Sequence, residues 1–292
     1  MNGQADIILE VEDLTKHFPG FVLDGVSFSL PPGYIMGLIG PNGAGKTTTL
    51  KLILGLLKRD DGTVRALGHD PARVGAHVRS RIGFVHDEPR FYRRLTLREN
   101  AALVARCYPT WEQAQFEEYA AAFGLPLRKR FRELSHGTKT KFALALALSH
   151  ETELLILDEP TTGLDPVFRH ELLDTLSGLL QDGRTSILFS THITSDLERI
   201  ADYITLIQDG RVVFTETRDA ILERWALVRG GPGLLDGGTP PFFRGIRTNP
   251  HGFEALTDDA AAARRAFGDA VVIERVSLDE LVLYTTVEDP DA

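Results

Sequence analysis

The run Gly40-Pro41-Asn42-Gly43-Ala44-Gly45-Lys46-Thr47 fits the spacing G-x-x-x-x-G-K-[ST] in full. Glycines at this spacing let backbone amides wrap phosphate oxygens without a clashing Cβ. A helix that starts there turns its positive end toward the anion. Lys46 is placed to reach the β- and γ-phosphates of a nucleoside triphosphate, and the Thr47 hydroxyl to bind Mg²⁺. Thr48 adds a phosphate hydrogen bond. Asp158 and Glu159 end the apolar run that begins at Leu154. Carboxylates at the carboxyl end of a buried strand belong beside the phosphate loop of an open α/β sheet. There Asp158 would hold Mg²⁺ and Glu159 would polarise the attacking water as general base. His192 follows the apolar run Ser186 to Ser190. It is either a solvated or capping residue, or a contact to the γ-phosphate that orients Glu159 and the water.

These residues need strands and helices to position them. Ile7 to Leu14 and Phe21 to Leu30 read as short antiparallel strands around Pro19-Gly20. Tyr34 to Ile39 is a compact apolar run with the spacing of a buried strand, and Gly45 to Leu56 has helical spacing. Arg81 to Val85 is a further short strand. Residues 90–150 form a helical insert, with helices over Leu97 to Tyr108, Thr110 to Phe123 and Thr138 to Ser149. The strands Leu154–Leu157, Thr185–Ser190 and Tyr203–Ile207 alternate with helical stretches Val167–Leu180 and Thr194–Ile200. That alternation predicts a mostly parallel sheet with helices on its faces. Gln208-Asp209-Gly210-Arg211 predicts a hairpin turn into Val212–Phe214.

Residues 230–241 (GGPGLLDGGTPP) read as a Gly/Pro-rich linker. The expected division is a nucleotide-binding domain over 1–229, the linker, and a small C-terminal α/β domain over 242–292. In that last part Asp258–Phe267 reads as a helix, Val271–Glu274 as a strand, and Leu278–Tyr284 as a helix or a strand.

The chain has 292 residues, 43% apolar and 25% charged, ordinary values for a globular protein with a core. No apolar stretch approaches the roughly 20 residues that a membrane span needs. The N-terminus lacks the pattern of a secretory signal. The single cysteine, Cys107, fits a reducing setting. A formal charge of −9 argues against a nucleic-acid partner.

Leu134-Ser135-His136-Gly137-Thr138 resembles the L-S-G-G-Q signature of ABC ATPases. Leu154 to Pro166 (LLILDEPTTGLDP) resembles their Walker B and D-loop segment, and Ser190-Thr191-His192 their switch histidine. In order and spacing these motifs cover Ile7 to Arg218. The resemblance implies a P-loop NTPase fold with an N-terminal antiparallel β subdomain and a helical insert. It implies ATP with Mg²⁺, and a head-to-tail dimer in which Ser135 and Gly137 of one subunit cover ATP bound at Lys46 of the other. Asp165 would sit at that interface. Phe18 lies where an aromatic ring stacks on adenine, with Phe21 as the alternative. Two positions depart from the pattern. His136 and Thr138 stand where glycine and glutamine are usual, and Asp87 stands in place of the Q-loop glutamine. Asp87 is either an oxygen ligand for Mg²⁺ or a cap of the helical insert. The chain is most similar to ATPase subunits of bacterial ABC-2-type exporters, including antimicrobial-peptide resistance systems. The implied partners are an integral membrane permease and a second ATPase subunit, identical or not. The implied place is the cytoplasm, on the inner face of the membrane. Two alternatives are a soluble ABC ATPase acting on ribosomes or DNA, and a small-molecule kinase.

Overall fold

The computed structural model describes residues 7–74, 76–181, 183–235 and 237–285. In chain order the elements begin β1 (Leu9–Phe18), β2 (Phe21–Leu30), β3 (Ile35–Ile39), α1 (Lys46–Ile53), β4 (Asp61–Ala66), α2 (Ala76–Arg79) and β5 (Ile82–Val85). Next come α3 (Leu97–Ala105), α4 (Gln113–Ala122), α5 (His136–Ala147), β6 (Leu154–Asp158), α6 (Pro166–Gly178), β7 (Ser186–Thr191) and α7 (Thr194–Ile200). The chain continues through β8 (Tyr203–Gln208), β9 (Arg211–Thr217), α8 (Arg218–Arg224), β10 (Ala226–Gly230), β11 (Phe243–Asn249), β12 (Gly252–Thr257), α9 (Ala260–Phe267), β13 (Val271–Arg275) and α10 (Leu278–Thr285). These elements form two compact units. One runs up to Ile193 and includes Arg199–Thr215; the other comprises Thr194–Glu198 and the described residues from Glu216 onward.

The first unit is built on a six-stranded sheet of order β5-β6-β7-β3-β8-β9. The pairs β5/β6, β6/β7, β7/β3 and β3/β8 are parallel. The strands β3, β6 and β7 are buried at every position. This is why they read as unbroken apolar runs rather than alternating ones. At the β8–β9 turn Asp209 (φ 47°) and Gly210 (φ 79°) are both left-handed, the geometry of a two-residue hairpin. A second sheet, β2-β1-β4, is antiparallel and packs into the same apolar core through Leu9, Val11, Leu14 and Val26. The helical insert has its own core, in which Phe116, Phe131 and Phe142 are buried with Leu97 and Leu146. Helix α3 starts on a capping box: Thr96 Oγ1 accepts from Glu99 N, and Glu99 accepts from Thr96 N.

The second unit is a four-stranded antiparallel sheet, β11-β12-β10-β13, with a core of Val228, Phe253, Ala255, Ala263 and Val271. Strand β10 lies inside this sheet. The division expected at residue 229 therefore moves to 216, and residues 230–241 join two strands of one sheet instead of two units. Leu278–Thr285 is a helix. Ser277 and Glu280 bond each other's backbone N–H across its start, at 2.9 and 3.2 Å, which decides between the two readings. Strand β4 was not read from the sequence, because only Val64 and Ala66 of its six residues are buried.

Candidate functional site

The phosphate loop joins β3, one of the two central strands of the sheet, to α1. At Gly45, φ is +111°, and a Cβ would lie 2.8 Å from Leu23 Cδ1 and 3.2 Å from Phe21 Cζ. At Gly40 a Cβ would lie 2.0 Å from Ile207 O. Gly40 thus runs tightly against the backbone of β8, and the positive φ of Gly45, packed against two side chains, also favours glycine. Lys46 is buried and donates from Nζ to Gly40 O (2.7 Å) and Pro41 O (3.2 Å), holding the loop shut over its own ammonium. Burial pushes the Lys46 ammonium down from its usual range, and the charges of Glu159 and Asp158 oppose that shift.

Parallel pairing sets the carboxyl ends of β6 and β7 beside this loop. Asp158, buried at the end of β6, accepts from Thr47 Oγ1 at 3.0 and 3.1 Å. Burial pushes its carboxyl up, the Thr47 bond and His86 pull it down, and Asp87 and Glu159 push it up further. Glu159 follows at φ 50°. A left-handed residue other than glycine costs about 1–3 kcal/mol, and such residues cluster at active sites. Its carboxylate is fixed from three directions. Oε2 lies 2.8 Å from His192 Nδ1, 3.3 Å from His192 N and 3.2 Å from Thr162 Oγ1, and Oε1 lies 3.7 Å from Lys46 Nζ. The His192 contact works as a hydrogen bond when Nδ1 carries the proton.

Phe21, Asn42, Gly43, Gly45, Lys46, Thr47, Thr48, Asp87, Glu159, Thr162 and His192 line one open cleft of about 420 Å³. Two of these were missed in the sequence, or ranked second there. Thr162 lies in the TTGLD run, whose meaning as a hydroxyl holding Glu159 needs the fold. Phe21 lines the cleft, whereas Phe18 does not. Phe18 sits across the β1–β2 hairpin from Phe21, 6.4 Å away ring to ring, with Lys16 Nζ 5.8 Å from its centroid. Both rings stay candidates for stacking on adenine: Phe18 is exposed at the hairpin end, and Phe21 lines the cleft.

Ser135, Gly137 and Asp165 are not in that cleft. Ser135 Oγ caps α5, accepting from Thr138 N at 3.3 Å, and sits 2.8 Å from Thr138 Oγ1. Asp165 caps α6 and accepts from Phe168 N at 3.0 Å, which holds its carboxyl below the usual range. The two segments touch one another: a Cβ on Gly163 would lie 3.1 Å from His136 Cδ2, and one on Gly137 3.3 Å from Gly163 O.

The cleft suits a magnesium nucleotide. No group of three or more His, Cys, Asp or Glu able to hold a metal occurs among the described residues. The protein instead offers two converging oxygen ligands, Thr47 Oγ1 and the Asp158 carboxylate. Mg²⁺ is characteristically held by one or two such groups, with phosphates and water completing the shell.

The comparisons with known proteins agree with this geometry. The ABC transporter family matches residues 23–162. The bacitracin transport ATP-binding protein BcrA of Enterococcus faecalis is 37% identical over 211 residues, covering 71% of this chain and 68% of that protein. Nod factor export ATP-binding protein I of Burkholderia lata is 38% identical over 228 residues, covering 74% and 72%. A solved ATP-binding subunit of an ABC transporter superposes with TM-score 0.68 at 33% identity, covering 74% of this chain and 92% of that one. CbiO1 of Clostridium perfringens, part of a cbiONQ transporter complex, superposes with TM-score 0.61 at 27% identity, covering 73% and 89%. Among the described residues no helix is long and apolar enough to cross a membrane. The chain belongs to the ATP-binding, ATP-hydrolysing subunits of ABC transporters.

Proposed function

We propose that Glu159 is the general base of ATP hydrolysis, acting in a site that a second ATPase subunit completes. The observation that carries this reading is the carboxylate of Glu159, held between Lys46 and His192 at the mouth of the phosphate loop. Glu159 takes a proton from the attacking water, and His192 orients that carboxylate and contacts the γ-phosphate. Lys46, freed from Gly40 O and Pro41 O, moves its donors to the β- and γ-phosphates. The loop amides from Asn42 to Thr48 bind the remaining phosphate oxygens, and Phe18 or Phe21 stacks on the base. Thr47 and Asp158 would hold Mg²⁺, with Asp87 as a further oxygen nearby; the ion supplies charge neutralisation at the phosphates.

The half of the site that faces the γ-phosphate comes from Ser135, Gly137 and Asp165 of the other subunit. Closure then requires the γ-phosphate, and hydrolysis releases it. Dimer opening and closing drives a separate membrane permease, which keeps this subunit at the cytoplasmic face of the membrane. Relatives named for bacitracin transport and Nod factor export favour export as the direction. Glu159→Gln tests the assignment. ATP binding persists while turnover falls roughly 10²- to 10⁴-fold, the usual worth of a positioned base. Turnover near wild type would remove Glu159 from that role.

A further inference from the structure

Helix α7 begins two residues after His192 and is divided between the two units: Thr194–Glu198 belong to the second, and Arg199 and Ile200 to the first. Within the second unit the start of α7 is fastened to α10 at two points one turn apart. Thr194, 4% exposed, donates from Oγ1 to Asp279 Oδ1. Glu198 Oε1 accepts from the N–H of Leu278, the first residue of α10, at 2.7 Å. Leu197 of α7 and Leu278 and Leu281 of α10 are fully buried. Helix α10 is held in turn. Ser277 and Glu280 close its first turn, and near its end Tyr284 Oη donates to Glu254 Oε2 of β12 at 2.7 Å. Within the first unit the last turn of α7 is tied to α6, where Arg199 Nη2 donates to Asp174 Oδ1 at 2.6 Å.

A helix of seven residues is marginal by itself, so its place depends on what fastens it. What holds its first residue also holds the backbone just before it. That backbone carries His192, whose Nδ1 and N–H lie 2.8 and 3.3 Å from Glu159 Oε2. The His192 side chain is 43% exposed, so its place follows its backbone more than its packing. A displacement of about 1 Å at such a group is enough to cost turnover. The leucines account for the apolar burial between α7 and α10; the carboxylate of Asp279 adds a directed bond to a buried hydroxyl, which is left unpaired if its acceptor is removed. Neither Thr194 nor Asp279 lines the nucleotide cleft.

We propose that Asp279 is a positioning residue for ATP hydrolysis. Through Thr194 it fixes the start of α7, and with it the backbone of His192, so the second unit sets turnover without touching nucleotide. The inference rests on the orienting role given to His192.

The test is steady-state hydrolysis by the full chain, with kcat and KM for ATP read separately, well below the melting temperature of each variant. Asp279→Ala lowers kcat about tenfold, the effect of losing a hydrogen bond to a charged group, and leaves KM unchanged. Asp279→Asn keeps an acceptor at Oδ1 and restores most of kcat. Thr194→Val removes the donor while keeping the shape. It repeats the loss at unchanged KM, and guards against a folding defect in the first variant. A cycle with His192→Ala separates positioning from general damage: with the imidazole gone, Asp279→Ala has little further effect. Wild-type kcat in Asp279→Ala, beside an impaired His192→Ala, would overturn the proposal alone. So would a loss that multiplies with that of His192→Ala, or an Asp279→Asn chain no more active than Asp279→Ala. Wild-type turnover in His192→Ala would instead remove His192 from its role and the proposal with it.

Discussion

The cleft around Lys46 and the segment around Ser135, which we assign to two halves of one anion site, differ in what holds them. In the cleft, a loop that excludes side chains at Gly40 and Gly45 meets two carboxylates at the ends of adjacent parallel strands. Its polar groups engage one another: Thr47 donates to Asp158, His192 bonds Glu159, and Lys46 lies at ion-pair distance from Glu159. At the signature segment, the Ser135 hydroxyl and the Asp165 carboxylate are spent on capping their own helices. No carboxylate or lysine of the cleft lies among those bonds. On the proposed reading, a single chain carries an assembled nucleotide-binding half and a covering half that acts on another subunit.

Removing the central cation attacks the assembled half most directly. Lys46→Ala weakens ATP binding about 10- to 100-fold, the range for a lost hydrogen bond to a charged group. Equilibrium titration with a fluorescent ATP analogue reads this, and unchanged affinity would remove the phosphate loop from its role. The opposite half responds differently. Ser135→Ala leaves the affinity of a dilute chain for ATP unaltered but lowers turnover about tenfold, since its hydroxyl acts only across the dimer. It also costs about 1 kcal/mol of stability through the lost helix cap. A Ser135→Ala chain that binds ATP poorly when dilute would place the serine in its own cleft.

A smaller effect separates stability from function. Burial raises the folded-state pKa of Asp158 above its unfolded value. A raised carboxyl contributes stability that is present below the unfolded pKa and lost as pH rises through the folded one. Ionising Asp158 thus favours the unfolded chain over the folded one at neutral pH, and Asp158→Asn raises the melting temperature of the ligand-free chain by a few degrees. The gain fades on acidification, while turnover is lost at every pH. Calorimetry across pH checks the sign; a lower melting temperature at neutral pH would contradict it.

The cleft was legible from the sequence because its chemistry is local. Eight consecutive residues make the phosphate loop, and Asp158 and Glu159 close a run of fully buried strand residues that cannot be mistaken for an exposed one. His192 was identifiable only through its neighbouring strand. Parallel pairing of β6 with β7 is what brings it 2.8 Å from Glu159. Phe21 lines the cleft for a reason no spacing reveals: the tip of its ring lies 3.2 Å from where a Cβ of Gly45 would be. In the second unit, Gly230 and Pro241 pointed to a boundary, but the sheet was set by β10, which ends on the first of those glycines. Beyond the glycines, β11 has only Phe243 buried and β12 is buried at five of its six positions, so neither gave alternation to read.

The most direct test of a divided site is specific ATPase activity as a function of chain concentration, measured beside ATP affinity and sedimentation. Affinity stays constant, while turnover per chain rises with concentration as dimers form. Turnover per chain that stays constant down to concentrations where only monomer sediments would contradict the account.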